Sequence, residues 1–243
     1  MQAVFETLFD AVYLVTVVTL GMIMIRRSVK AAPAHGTSET APGISHGYRQ
    51  YLLFGIMAVT LGAGDSFHLV PRALALCTTG LESYTAALGI GKLITSVTMT
   101  AFYVLLYYVW RSRYQISGKK GLTAAVWALA LLRVILCFMP QNQWTSPDAP
   151  LSWGIWRNIP FAILGGVIIV LFFRSARSLG DRQFRFLWLT VVLSFGFYIP
   201  VVLFADSVPL IGMLMIPKTC AYVWTVLIGF NAMKGDISNE KMS

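Results

Sequence analysis

The chain has 243 residues, of which 57% are hydrophobic and only 12% charged, with a net charge of +9, a pI near 9.7 and a mean hydropathy of +0.69. An ordinary soluble domain carries about twice that share of charge, so a soluble globular domain and a disordered chain are both excluded. At roughly 20 apolar residues per span, about seven membrane spans fit and little is left over for a soluble domain.

The first apolar run covers residues 3–25 and ends in Arg26, Arg27 and Lys30. A secretory signal carries its charges before the apolar stretch, so this run reads as a retained helix. Residues 31–47, rich in Ala, Pro, Gly, Ser and Thr, read as a flexible loop. The second run spans 51–70 and is closed by Pro71-Arg72; the third spans 82–110. The fourth, 122–139, is stopped by Pro140, and a loop with two prolines follows. The fifth, sixth and seventh runs cover 155–173, 186–205 and 210–230, and a polar tail occupies 231–243. Pro200 and Pro217 are expected to kink helices six and seven. The fold expected is an all-α bundle of seven membrane helices.

The basic residues set the orientation. Arg26, Arg27, Lys30 and Arg49 flank the first loop, Arg111, Arg113, Lys119 and Lys120 the third, and Arg174, Arg177, Arg182 and Arg185 the fifth; Lys234 and Lys241 lie in the tail. The opposite helix ends hold only Arg72 and Arg157. The positive-inside rule then puts the N-terminus outside and the C-terminus in the cytoplasm, as a multi-pass protein of the cell membrane. The basic pI is a topology signal of this kind, and nucleic acid is excluded as a partner; the bilayer itself is the partner expected. Trp144, Trp153 and Trp156 fit an outer aromatic belt, and Trp110 and Trp188 an inner one, where Tyr103, Tyr107 and Tyr108 are also expected. Gly165-Gly166 suits close helix packing, and Thr95, Ser96, Thr98 and Thr100 suit packing or hydrogen bonding between helices.

Five charged residues fall inside the helices: Asp10, Asp65, Lys92, Arg133 and Lys218. Each costs roughly 2.5–3.5 kcal/mol at mid-helix, so the set demands compensation or use. With a rise of about 1.5 Å per residue, all five lie some 9–15 Å below the outer helix ends. His68, Glu82, Arg157, Asn158 and Asp206 form a shell above them, and the inner half of the helices has no charge. One polar cavity in the outer half of the bilayer is expected. Three cations face two carboxylates in it, and the spare positive charge suits an anionic small molecule or an anionic lipid. The expected binding residues are Asp10, Asp65, His68, Glu82, Lys92, Arg133, Tyr198, Lys218 and Tyr222. Internal neutralisation of the charges is the alternative. Cys77 and Cys137 both fall near the outer side, where a disulfide between them is one option.

Helix two reads Gly62-Ala63-Gly64-Asp65-Ser66-Phe67-His68. This resembles the second-helix signature of the CREST superfamily, the alkaline ceramidases and adipoQ-type receptors. The resemblance implies a seven-helix scaffold with zinc at the matching position, His68, and Glu82 in place of the family's nearby acid. The family serine is Gly64 here, and its paired helix-seven histidines are replaced by Lys218 and Tyr222. Phe197-Tyr198-Ile199-Pro200 and the mid-membrane Lys218 are similar to helices six and seven of microbial rhodopsins, which implies retinal on Lys218. Three functions stay open beside a retinal protein. One is a transporter or sensor that binds an anion in the cavity. Another is an intramembrane hydrolase of a lipid amide or ester, with His68 or Lys218 as base and Asp65 and Glu82 as orienting groups. The last is a structural subunit of a membrane complex.

Overall fold

The first helix shows why the chain folds as it does. Residues 6, 10, 13, 17, 21, 24 and 28 are buried, at steps of three or four. Val4, Phe5, Leu8, Val12 and Val15, on the other side of the same helix, stand 58–68% exposed. The buried stripe thus carries Glu6, Asp10 and Tyr13 while the exposed stripe is apolar, the reverse of a helix bathed in water.

The computed structural model describes residues 2–31, 44–78, 80–205 and 207–240. Among these described residues seven α-helices are formed: α1 Gln2–Ala31, α2 Ile44–Cys77, α3 Thr85–Arg113, α4 Lys120–Phe138, α5 Leu151–Ser178, α6 Leu187–Phe204 and α7 Met215–Glu240. Short 3-10 turns at Leu81–Tyr84, Pro140–Asn142 and Pro209–Leu214 precede α3, follow α4 and lead into α7. All seven helical segments are long and apolar enough to cross a membrane.

Each helix packs on its neighbour in the chain, and α7 returns to α1 to close the ring. The α1–α2 and α2–α3 interfaces are the most extensive, and α3, the most buried helix, also leans on α5. Connections α1–α2, α3–α4 and α5–α6 share one end with the close of α7, because Tyr51, Arg113, Asp181 and Asp236 meet there. This is the end that bears the basic loops. At the opposite end, Glu6 of α1 meets Arg72 of α2 at 2.6 Å.

Several expected boundaries move. Pro71 lies inside α2, which runs on to Cys77, and residue 31 and residues 44–47, expected in a loop, belong to α1 and α2. Residues 32–43, Asp206 and the last three residues lie outside the described residues. Residues 231–240, read as tail, continue α7. Apolarity marks the part of a helix that suits hydrocarbon, but a helix continues into polar surroundings wherever its backbone bonds stay intact. Pro200 lies within α6 as expected. Pro217 is only the third residue of α7, where a missing N–H breaks nothing, so it starts the helix instead of kinking it.

Small residues set the closest approaches. A side chain at Gly64 would run into Thr98, and one at Gly165 into the Phe195 ring; at Gly166 there is open space. The Thr95 hydroxyl donates to the Gly64 carbonyl at 3.1 Å, so α3 bonds α2 where they are closest. Cys77, Cys137 and Cys220 are free, so the disulfide option is not taken up.

Candidate functional site

Asp65 accepts a hydrogen bond of 2.6 Å from the Tyr13 hydroxyl across the α1–α2 interface. Asp10, one turn from Tyr13 on the same buried stripe, lies within electrostatic reach of Asp65, and Asp65 of Lys218. Lys218 in turn feels Arg133. Four of the five charges expected in the helices are therefore assembled, from α1, α2, α4 and α7.

Lys92 is the exception. It is exposed on α3, near His68 but not among the four. Glu82 is also exposed, in the 3-10 turn before α3. The formal count inside becomes two cations against two carboxylates, and the spare cation inferred from sequence is gone. Electrostatic attraction divides the charges unevenly, however: Asp65 is drawn mainly to Lys218 and Asp10 to Arg72, though neither pair closes to 4 Å. Arg133 is left with no carboxylate within 4 Å among the described residues.

Arg133 is 2% exposed and its Nε and Nη1 have no hydrogen-bond partner. Its guanidinium sits 3.2 Å above the centre of the Phe161 ring on α5. Lys218, 9% exposed, has its Nζ 4.7 Å from the centre of the Tyr198 ring and 5.4 Å from that of Tyr222. A cation held against aromatic faces gains roughly 2 kcal/mol when desolvated, well short of what an unpartnered buried charge loses. One oxygen of Asp10 is likewise unpartnered.

The tyrosines shape the floor. Tyr103 and Tyr107 are fully buried, so neither is a belt residue. The Tyr103 hydroxyl lies 3.2 Å from the Ser194 hydroxyl, and its ring meets Phe161 edge-on at 4.9 Å. The Tyr107 hydroxyl pairs with that of Thr123 at 2.8 Å. Trp110 is also buried, donating to Ser175 at 2.9 Å, so it belongs to the core and not to the inner belt. Both corrections have one cause: α3 is the inner helix of the bundle, and its polar-tipped aromatics meet other helices where an outer helix would meet headgroups.

His68 lies apart from the Asp65–Tyr13 pair. Its Nδ1 donates to the Leu88 carbonyl at 3.3 Å, and neither Asp65 nor Glu82 orients it as expected for a base. Among the described residues no three His, Cys, Asp or Glu side chains converge on a point that could hold a metal, so the residues around His68 do not fit a zinc ion.

No protein-family model matches the chain, and no curated protein or solved structure matches it either.

The upper rim is built by Asn142, 1% exposed, whose amide donates to the carbonyls of Leu136 and Met139 at 2.6 and 2.9 Å. It thereby satisfies backbone groups left open where Pro140 ends α4. Its Oδ1 accepts from Arg157 at 2.8 Å, and Arg157 stacks over Trp144 at 4.2 Å. Asn158 accepts from the Tyr198 hydroxyl at 3.2 Å. Sequence reasoning missed Tyr13, Ser194 and Phe161. The first could have been found from the stripe Glu6, Asp10, Tyr13, Val17; for Phe161 the sequence carries no signal.

A second polar cluster, also missed, closes the other end. Arg113 grips Asp181 with two bonds of 3.0 and 3.1 Å, Gln183 at 2.7 Å and Asp236 at 3.3 Å, and lies 4.7 Å over Phe184. Tyr51 donates to Asp236 as well. Four elements are tied together here: α2, α3, the α5–α6 loop and α7.

Proposed function

We propose that the chain is a multi-pass membrane protein, N-terminus outside, whose outer-half polar site binds an anionic small molecule or lipid as a transporter or sensor. The carrying observation is Arg133: buried, with two guanidinium nitrogens unpartnered and no carboxylate nearby among the described residues. A bound anion supplies the partner that the fold withholds. Lys218 adds a second positive charge, held against the Tyr198 and Tyr222 rings. Seven helices with apolar outer faces support the membrane setting.

The test is equilibrium binding of radiolabelled laurate to the protein in phosphatidylcholine nanodiscs. Removing a hydrogen-bonded charge costs about 1.5–3 kcal/mol, so Arg133→Gln is expected to weaken binding about ten-fold or more. Arg133→Lys, which restores the charge, should recover part of it. Lys218→Met should weaken binding to a smaller degree. Laurate binding that is unchanged in Arg133→Gln would overturn the assignment.

A further inference from the structure

A groove of about 200 Å³ runs between α5 and α6. Its walls are apolar, with Ile159, Ala162, Ile199 and Val202 among them, and Phe161 and Tyr198 line it too. Those two rings are the ones that carry the cations: Arg133 sits on Phe161 and Lys218 on Tyr198. The apolar groove and the charged cluster therefore share a wall. Ile159 and Ile199 are 42% and 46% exposed, on the outside of the bundle, so the groove opens sideways.

We propose that the anion held at Arg133 is the head of a single-chain carboxylate amphiphile, whose chain lies in the α5–α6 groove and which enters laterally from the bilayer. This rests on the anion-binding reading above. Charge selects the head. The Arg133 guanidinium, with no carboxylate within 4 Å among the described residues, offers a single positive charge, which suits a monoanion better than a phosphate dianion. Size selects the tail. The groove is smaller than the ~300–1,000 Å³ of pockets that enclose a drug-sized ligand, so it seats part of one chain and not a two-chain phospholipid. The neighbouring polar group, Asn158, is already occupied by Tyr198, which leaves the groove wall to hydrocarbon.

The experiment uses two photoactivatable acids on the protein in phosphatidylcholine nanodiscs: a palmitate with a diazirine at the chain end, and a pentanoate with a diazirine near its end. The palmitate probe is expected to label α5 and α6 along the groove, with labelling reduced about ten-fold in Arg133→Gln. Ala162→Trp fills the groove from an exposed position. It should abolish palmitate labelling of the groove and leave pentanoate labelling near Arg133 intact. Unlabelled palmitate should compete, and a two-chain phosphatidylglycerol should not. Palmitate labelling unaffected by Ala162→Trp, or equal competition by the phospholipid, would overturn the groove proposal. If only pentanoate labels around Arg133, the groove proposal fails and the anion site stands. If neither probe labels there in an Arg133-dependent way, both fail.

Discussion

Arg113→Ala is expected to destabilise the protein by about 3 kcal/mol, the lower end of the range for removing one partner of a buried ion pair. The substitution leaves Asp181, with a side chain only 8% exposed, and Asp236 without their shared cation. It also takes the donor from the Gln183 side-chain oxygen and uncovers Phe184. The hydrogen bonds and ion pairs that Arg113 makes join elements distant in sequence, so without them the α5–α6 loop and the end of α7 loosen together. The measurement is the SDS mole fraction at half-unfolding in dodecyl maltoside, followed by tryptophan fluorescence. Arg174→Ala, at an exposed position, should stay within about 0.5 kcal/mol. An Arg113→Ala midpoint equal to that of Arg174→Ala would show that the cluster contributes nothing.

The same cluster sets an acid limit. Burial alone would raise the Asp181 carboxyl, but the Arg113 guanidinium and the Phe184 amide hold it below the usual carboxylate value. A carboxylate with a depressed folded-state pKa stabilises above its unfolded value of about 3.9, and that contribution is lost as pH falls through the folded value. Stability should therefore decline below about pH 4, and Asp181→Asn should flatten that decline while starting from a lower plateau. A wild-type midpoint flat from about pH 5 to the acid limit of the measurement would contradict this.

Gly91→Leu is the second large effect. A side chain on Gly91 would meet the Phe67 carbonyl and, at 2.7 Å, the His68 Cα. Both are backbone of α2, held by its own helical bonds, so neither can turn away as a side-chain tip would. Overpacking of this kind costs roughly 1–3 kcal/mol and more where backbone must move. Here it acts at one of the two most extensive helix interfaces. The expected cost is about 3 kcal/mol or more, seen as aggregated material on size-exclusion chromatography and a lowered SDS midpoint. Gly166→Leu, which meets nothing within 4 Å, is the matched control and should behave as wild type. A monodisperse Gly91→Leu with an unshifted midpoint would mean that α2 and α3 are not in this register. The consequence reaches the site, because α2 carries Asp65 and its bond to Tyr13.

The seven helices, their order and the gathering of the basic loops at one end were legible in the linear chain. Hydrocarbon demands some 20 apolar residues per span and rejects charge, so the pattern of runs and of Arg and Lys is written locally. The rarity of charge in such helices also made Asp10, Asp65, Arg133 and Lys218 stand out without a structure. Which of them face each other was not legible. A helix shows its neighbour one stripe in several, and that stripe is chosen by packing at Gly64, Gly91 and Gly165, where chains come closest. Only the tertiary structure put Lys92 outside, set Arg133 on Phe161 with no carboxylate beside it among the described residues, and turned Tyr103, Tyr107 and Trp110 inward. It also gathered Arg113, Asp181 and Asp236, each ordinary in its own loop or helix end, into one clamp. Side-chain polarity fixes how much a residue costs in the membrane; the partner that offsets the cost comes from another helix, and helix–helix register is a property of the assembled bundle alone.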